Sequence, residues 1–467
     1  MPFFNADQLA AWVQGHWTAA PAGPITGFAN DTRTLRPGEV FVALRTGRRD
    51  GHEFLGAAQA AGAAGALVSR ADPALALPQL VVADPLAALQ AVARNHRRRF
   101  ADPVIGISGS VGKTSTKDLL ALLLGGAPSV LATEGNLNNF IGVPLTLTRL
   151  DPVVHRYAVV EAGVSLPGEM HPLAGMIEPD LALVTLVAPA HLQELGDVEG
   201  VAREKARLPA AVRPAGVALF PRQCLQFAAF RDLTVHRMIV EPAEVVLPSD
   251  PPKDRIFFAI SQRGDSTAVT IVYPLPAARR RFTLQRISKG MAQNAVLAIC
   301  AALWLGVPPD VIQERLAAWR PAKWRGEIRR DGDRMLYLDC YNANPISMAD
   351  ALENFEALAP ADRARAYVLG CMEELGPQSA EYHRRLGRAL RLRGGDHLFV
   401  IGDQAGALVE GLREAGSGAA QVEVVATLEP VAAFLARFHG AVFLKGSRRY
   451  HLEQALAEHA PQEPMAC

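Results

Sequence analysis

Chemistry is concentrated in one run of the chain, Gly109-Ser110-Val111-Gly112-Lys113-Thr114-Ser115-Thr116. Glycines let a backbone curl close to an anion where a Cβ would clash. Lys113 adds a mobile cation for the outer phosphates of a nucleotide, and Thr114 adds a hydroxyl for a magnesium ion. The spacing is Gly-x-x-Gly-Lys-Thr, and Ile107 stands where the longer phosphate-loop pattern has its first glycine. Two further groups sit where apolar runs end. Glu161 closes Tyr157–Val160, and His191 follows Leu181–Val187. Glu161 reads as a second magnesium ligand or as an innocent strand end, and His191 as a magnesium-site group or a polar loop residue. Lys205 lies with Arg203 and Glu204 on an amphipathic stretch, Val198–Ala211, which by itself reads as a solvated charged face.

These groups need elements to hold them. Val104–Ile107 predicts a buried strand, and Asp118–Leu124 predicts part of the helix after the phosphate loop. A strand, a glycine turn and a helix N-terminus together make an anion site. The strand-and-helix pattern implies an α/β fold of three domains: residues 1–100, 101–320 and 321–467. A central P-loop-type, mainly parallel sheet is flanked by a small α/β N-terminal domain and a Rossmann-like C-terminal domain. In the first unit, strands are expected at Glu39–Leu44, Ala66–Ser69 and Leu80–Ala83, and helices at Glu53–Ala63 and Pro85–Arg99. The loops Asp31–Arg33 and Arg45–His52 suit a phosphorylated ligand or are simply solvated. His96–Arg99 reads as the solvated end of a helix. Between Val217 and Arg286, alternating segments suggest antiparallel strands added to the main sheet. The third unit alternates strand and helix from Met335 to Lys445, without the Gly-x-Gly-x-x-Gly of a dinucleotide site.

Composition narrows the classes. Charged residues make up 20% and hydrophobic residues 49%, with a net charge of +1, so neither nucleic-acid binding nor membrane insertion is expected. No apolar stretch reaches bilayer length. The five cysteines, at 224, 300, 340, 371 and 467, show no metal-type spacing. They read as reduced thiols of a cytoplasmic protein.

Three segments together resemble the Mur ligases: the phosphate loop, Thr133-Glu-Gly-Asn136-Leu-Asn138-Asn139-Phe-Ile-Gly142-Val-Pro144, and Tyr341-Asn-Ala-Asn-Pro-Ile-Ser-Met348. Asp31-Thr-Arg33, Asp50-Gly-His52, Glu161-Ala-Gly163, Glu374-Leu-Gly376 and Lys445-Gly-Ser-Arg448 extend the similarity over nearly the whole chain. The resemblance implies a cytoplasmic, monomeric enzyme of peptidoglycan precursor synthesis. Such an enzyme joins D-alanyl-D-alanine to UDP-N-acetylmuramoyl-tripeptide with ATP as co-substrate, Mg2+ as cofactor and an acyl phosphate between. It implies that Thr114 and Glu161 hold one magnesium, that His191 helps hold a second, and that Lys205 serves the metal site as a carbamate. Lys113, Lys205, His191 and Glu161 then form the catalytic set. Asn138 and Asn139 line the channel for the muramoyl peptide, and Thr32, Arg33 and the Arg45–Arg49 loop take the uridine diphosphate end. Asn294, Arg325, Asp339, Tyr341 and Asn342 join Gly109–Ser115 at ATP.

Val111, Leu186 and Gln293 depart from the residues usual in the family. Two other readings stay open at this point: a related ligase that adds a single amino acid, and a P-loop kinase or NTPase.

Overall fold

The computed structural model describes residues 3–456 except 48, 244–247, 249–251, 275–276, 333 and 417–419. Arg48 and Cys467 therefore lie outside the described residues. The strands fall into three sheets. The first holds β1 His16–Trp17, β2 Gly27–Ala29, β3 Glu39–Val42, β4 Gly65–Val68 and β5 Gln79–Val81, in the order β1-β5-β4-β3-β2. All its neighbours are parallel except β1 and β5. The helical stretch expected at Glu53–Ala63 is shorter, a 3-10 turn Gly51–Phe54 running into a helix Leu55–Ala60.

The middle sheet contains β6 Val104–Ser108, β7 Val130–Ala132, β8 Tyr157–Glu161, β9 Leu181–Val184, β10 Val217–Pro221, β11 Arg237–Pro242, β12 Arg255–Arg263, β13 Ser266–Pro274 and β14 Ala277–Gln285. Their order is β14-β13-β12-β11-β10-β9-β6-β8-β7. The stretch from Val217 onward corrects the sequence reading. β10, β11 and β12 continue the parallel run, and only β12–β13 and β13–β14 are antiparallel. A 3-10 turn at Arg222–Gln226 and a short helix at Ala228–Arg231 provide the crossover that a parallel return requires. The sheet is covered on both sides, and β6 shows how. Ile105 and Ile107 enter one apolar cluster with the helices Lys113–Leu123 and Lys289–Trp304, whereas Val104 enters the opposite one.

The third sheet is formed by β15 Glu327–Asp331, β16 Arg334–Asp339, β17 Arg365–Gly370, β18 His397–Ile401, β19 Gln421–Val425 and β20 Ala441–Lys445, in the order β15-β16-β20-β17-β18-β19. It is parallel apart from the β15 edge. The carboxyl ends of β16, β17 and β20 lie side by side and carry Asp339, Gly370 and Lys445.

Two charged runs are not the solvated faces their sequence suggests. On the helix Pro85–Arg98, His96 and Arg97 are buried. The Arg97 guanidinium donates to the carbonyls of Phe100, Ile177 and Glu178 and to Asp180 Oδ2, at 2.8–3.0 Å. It thereby satisfies the open carbonyl end of the helix Met170–Ile177. On the helix Val198–Ala210, Glu204 and Lys205 are buried and Arg203 is exposed.

Candidate functional site

β6 ends at Ser108 and the next helix starts at Lys113, so residues 109–112 make the turn between them. Gly109 (φ 143°) and Gly112 (φ 81°) hold conformations that side chains disfavour. Space excludes other residues as well. A Cβ on Gly109 would lie 1.8 Å from Thr185 Oγ1, and one on Gly112 would lie 2.0 Å from Asn294 Nδ2. The turn is held from outside. Ser110 N donates to Leu186 O at 2.9 Å, Ser110 Oγ to Ala188 O at 2.9 Å, and Thr185 Oγ1 to Val111 O at 2.6 Å. These bonds explain why β9 stops at Val184 rather than running to Val187: residues 185–188 turn away to brace the loop. Gln223 steadies that brace, accepting from Val187 N at 3.3 Å and donating to Val187 O at 2.7 Å. Val111 and Leu186 take part through main-chain carbonyls, which their apolar side chains leave intact.

Lys113 Nζ donates to Gly109 O at 2.9 Å. Desolvation lowers its pKa, with Glu161 opposing and the Arg325 cation adding to the shift. Glu161, at the carboxyl end of β8, is buried. Its main-chain N–H donates to Thr133 Oγ1 at 2.9 Å and its Oε1 accepts from Asn138 Nδ2 at 2.8 Å. Its Oε2 is buried with no hydrogen-bond partner among the described residues. Such an orphaned oxygen is costly unless something absent from the chain completes it. Lys117 also bears on this corner, because its buried ammonium donates to Thr133 O at 2.7 Å.

One cavity of about 680 Å³ joins these groups to the third sheet. Its walls include Ser110–Ser115, Asn138, Asn139, Glu161, His191 and Asn294 on one side and Arg325, Asp339, Tyr341, Asn342 and Lys445 on the other. Asn139 lines the cavity, but its Oδ1 already accepts from Ile141 N and Gly142 N at 3.1 and 2.9 Å. Across the cavity, Arg325 sits over the Tyr341 ring, 3.9 Å from its centroid. Lys445 Nζ pairs with Asp339 Oδ2 at 2.5 Å. Burial raises the Asp339 carboxyl pKa, and Lys445 works against that rise.

His191 follows β9 in the left-handed region (φ 51°) and begins the short helix Leu192–Leu195. Its Nδ1 lies 2.5 Å from Oε2 of Glu374, beyond β17 in the third sheet. Glu374 was legible only as part of a family segment, and nothing in the sequence linked it to His191. Lys205 does not line the cavity. It is buried, and its pKa is pushed well below the ordinary lysine value by desolvation, then by Lys113, with Glu204 opposing. Among the described residues no three His, Cys, Asp or Glu groups converge as a ready-made metal cage.

Thr32, Arg33 and Arg45 lie on loops of the first sheet and are not part of this cavity. Arg33 is paired with Asp31 at 2.6 Å. Arg45 and Asp50 pair antiparallel through their backbones, and the Asp50 side chain pairs with His52 and Arg70. Among the described residues no helix is long and apolar enough to cross a membrane.

Residues 107–302 match the family described as Mur ligase middle domain, and residues 324–448 match Mur ligase, glutamate ligase domain. The chain is 32% identical to UDP-N-acetylmuramoyl-tripeptide–D-alanyl-D-alanine ligase of Escherichia coli (strain K12), over 82% of this chain and 83% of that one. It is 31% identical to the protein of the same name from Bacillus subtilis (strain 168), over 83% and 82% of the two chains. Among solved structures it is similar to MurF from Acinetobacter baumannii, with a TM-score of 0.85, 30% identity and coverage of 98% and 99%.

Proposed function

The chain belongs to the Mur ligase family, and from that premise we propose that it joins D-alanyl-D-alanine to UDP-N-acetylmuramoyl-tripeptide, with ATP as the energy source. It acts as a cytoplasmic monomer. Residues 1–100 take the uridine diphosphate end through Thr32, Arg33 and the loop from Arg45. Residues 101–320 carry the phosphate loop, and residues 321–467 close on ATP and take the dipeptide. The observation that carries this reading is the single cavity in which Lys113, Thr114, Asn138 and Glu161 meet Arg325, Asp339 and Tyr341.

The chemistry has two steps. A terminal carboxylate oxygen of the tripeptide attacks the γ-phosphorus of ATP, the bond to the β-phosphate oxygen breaks, and ADP leaves. The amine of D-alanyl-D-alanine then attacks the acyl carbon, phosphate departs with the carboxylate oxygen, and the nitrogen loses a proton. The first step brings two anions together, so cations must flank the path. Lys113 and the amides of Gly109–Ser115 hold the outer phosphates. Asn294, Arg325, Asp339, Tyr341 and Asn342 hold the remainder of the nucleotide.

The donor set fits magnesium. Glu161 offers a buried oxygen without a partner among the described residues, and Thr114 offers a hydroxyl in the same cavity. A magnesium ion held by one or two protein oxygens takes its other ligands from phosphates and water. Thr114 and Glu161 would hold one ion, and His191 with a carbamylated Lys205 would serve a second. When bound, magnesium screens the charge between the γ-phosphate and the carboxylate. A carbamate needs a neutral amine, and burial shifts Lys205 toward that form. Carbamylation also replaces an amine whose protonated form Lys113 disfavours with an anion that the Lys113 charge favours.

Isotope transfer tests the acyl phosphate. With 18O in the terminal carboxylate of UDP-N-acetylmuramoyl-tripeptide, one labelled oxygen is expected in the phosphate released during ligation. Unlabelled phosphate would rule out carboxylate activation by phosphorylation.

A further inference from the structure

The geometry points to Glu374 as a positioning residue: a carboxylate from the third domain that sets which nitrogen of His191 is left for a ligand in the active-site cavity. The inference rests on the reading of His191 as a metal-side residue. Glu374 is anchored on the segment it serves, because Leu192 N donates to Glu374 O at 3.1 Å while the Glu374 side chain reaches back to His191. Both residues hold left-handed backbone conformations, at φ 51° for His191 and φ 63° for Glu374. Such conformations persist in non-glycine residues when surrounding contacts over-determine them.

The contact brings Nδ1 to 2.5 Å from Oε2 but lies off the line of a straight hydrogen bond. The proton assignment follows from charge alone. A bare Nδ1 lone pair facing a carboxylate oxygen at that distance is repulsive, so Nδ1 carries the proton. In the neutral ring the lone pair then sits on Nε2. A carboxylate behind a histidine fixes the tautomer and ring orientation and raises the basicity of the opposite nitrogen.

The carboxylate and the imidazole belong to different sheets. His191 leads out of the middle sheet, while Glu374 follows β17 of the third. His191 therefore gains its orienting partner only when the third domain is docked against the middle one. Competence of the metal side of the site becomes conditional on domain docking, with no additional contact to the nucleotide.

The full-length protein with a non-hydrolysable ATP analogue, titrated with Mn2+ and read by the EPR signal of free ion, tests this. Glu374→Ala is expected to weaken the His191-dependent Mn2+ site by about 10–100-fold and to leave the other site and the melting temperature unchanged. Glu374→Gln, which keeps an oxygen dipole facing Nδ1–H, is expected to restore most of that affinity. His191→Ala is the control. If His191→Ala weakens Mn2+ binding and Glu374→Ala does not, the positioning role is wrong and the ligand reading survives. If His191→Ala changes nothing, the ligand reading fails and this inference fails with it. Equal loss at both sites together with a lower melting temperature would make Glu374 a purely structural contact and overturn the proposal.

Discussion

Asn138 Nδ2 donates to Glu161 Oε1 at 2.8 Å, which leaves Oε2 of the same carboxylate buried and unpartnered among the described residues. The pair is itself braced, since Gly163 N donates to Asn138 O at 2.8 Å and Glu161 N to Thr133 Oγ1 at 2.9 Å. One oxygen is thereby fixed and the other presented.

Removing that donor should disturb metal use before it disturbs folding. Asn138→Leu is expected to raise the magnesium concentration for half-maximal activity by about 10–100-fold, the usual cost of losing a group that orients a ligand. A magnesium titration at saturating ATP, alongside a melting curve, checks this. An unchanged magnesium requirement would detach Asn138 from the metal side.

Lys113 opens the helix after the phosphate loop and folds onto Gly109 O at 2.9 Å. Lys113→Ala should lower kcat by at least about 10²–10³-fold, as expected when a group that stabilises transferring charge is lost. Single-turnover ADP formation reads this directly. A near-normal rate would move the phosphates elsewhere.

Lys205 is buried, and its pKa is lowered by desolvation and then by the Lys113 charge. Because the amine is neutral at lower pH than an ordinary lysine, its carbamylation should hold to lower pH than that of an exposed lysine and be limited by dissolved carbon dioxide. Lys205→Ala should lose activity and regain part of it with formate or acetate. Degassing the wild-type enzyme should lower its rate. Indifference to the substitution would remove the carbamate.

Arg97 is a structural counterpart. It is fully buried and bonded to three carbonyls and Asp180. Arg97→Ala strips the donor from three carbonyls, while Asp180 keeps Val104 N at 2.9 Å and Arg213 at 3.4 Å. The expected cost is about 3–5 kcal/mol, seen as earlier unfolding in urea, with KM for ATP unchanged in the folded fraction.

The difference between Lys113 and Arg97 shows what the sequence could reveal. Lys113 was legible because its surroundings are local: the strand, the turn and the helix that place it lie within a few residues. Arg97 looked like the wet end of a basic helix because two of its carbonyl acceptors, Ile177 and Glu178, and its partner Asp180 come from a turn far along the chain. Glu204 and Lys205 looked like a solvated face for a similar reason, since burial is decided by what packs on the helix and not by the helix itself. Asn139 was expected in the channel, and it does line the cavity. Its carbonyl oxygen is nonetheless committed to the amides of Ile141 and Gly142, a local use that competes with ligand binding. The contact between His191 and Glu374 had no sequence signal, because only the docking of two sheets creates it.

Phosphate release with ATP and magnesium, measured with each organic substrate present singly and then together, tests the central claim most directly. Release should require UDP-N-acetylmuramoyl-tripeptide and D-alanyl-D-alanine at the same time. Steady ATP turnover without the nucleotide-linked peptide, or turnover supported equally by a single amino acid such as serine or glutamate in place of the dipeptide, would contradict it.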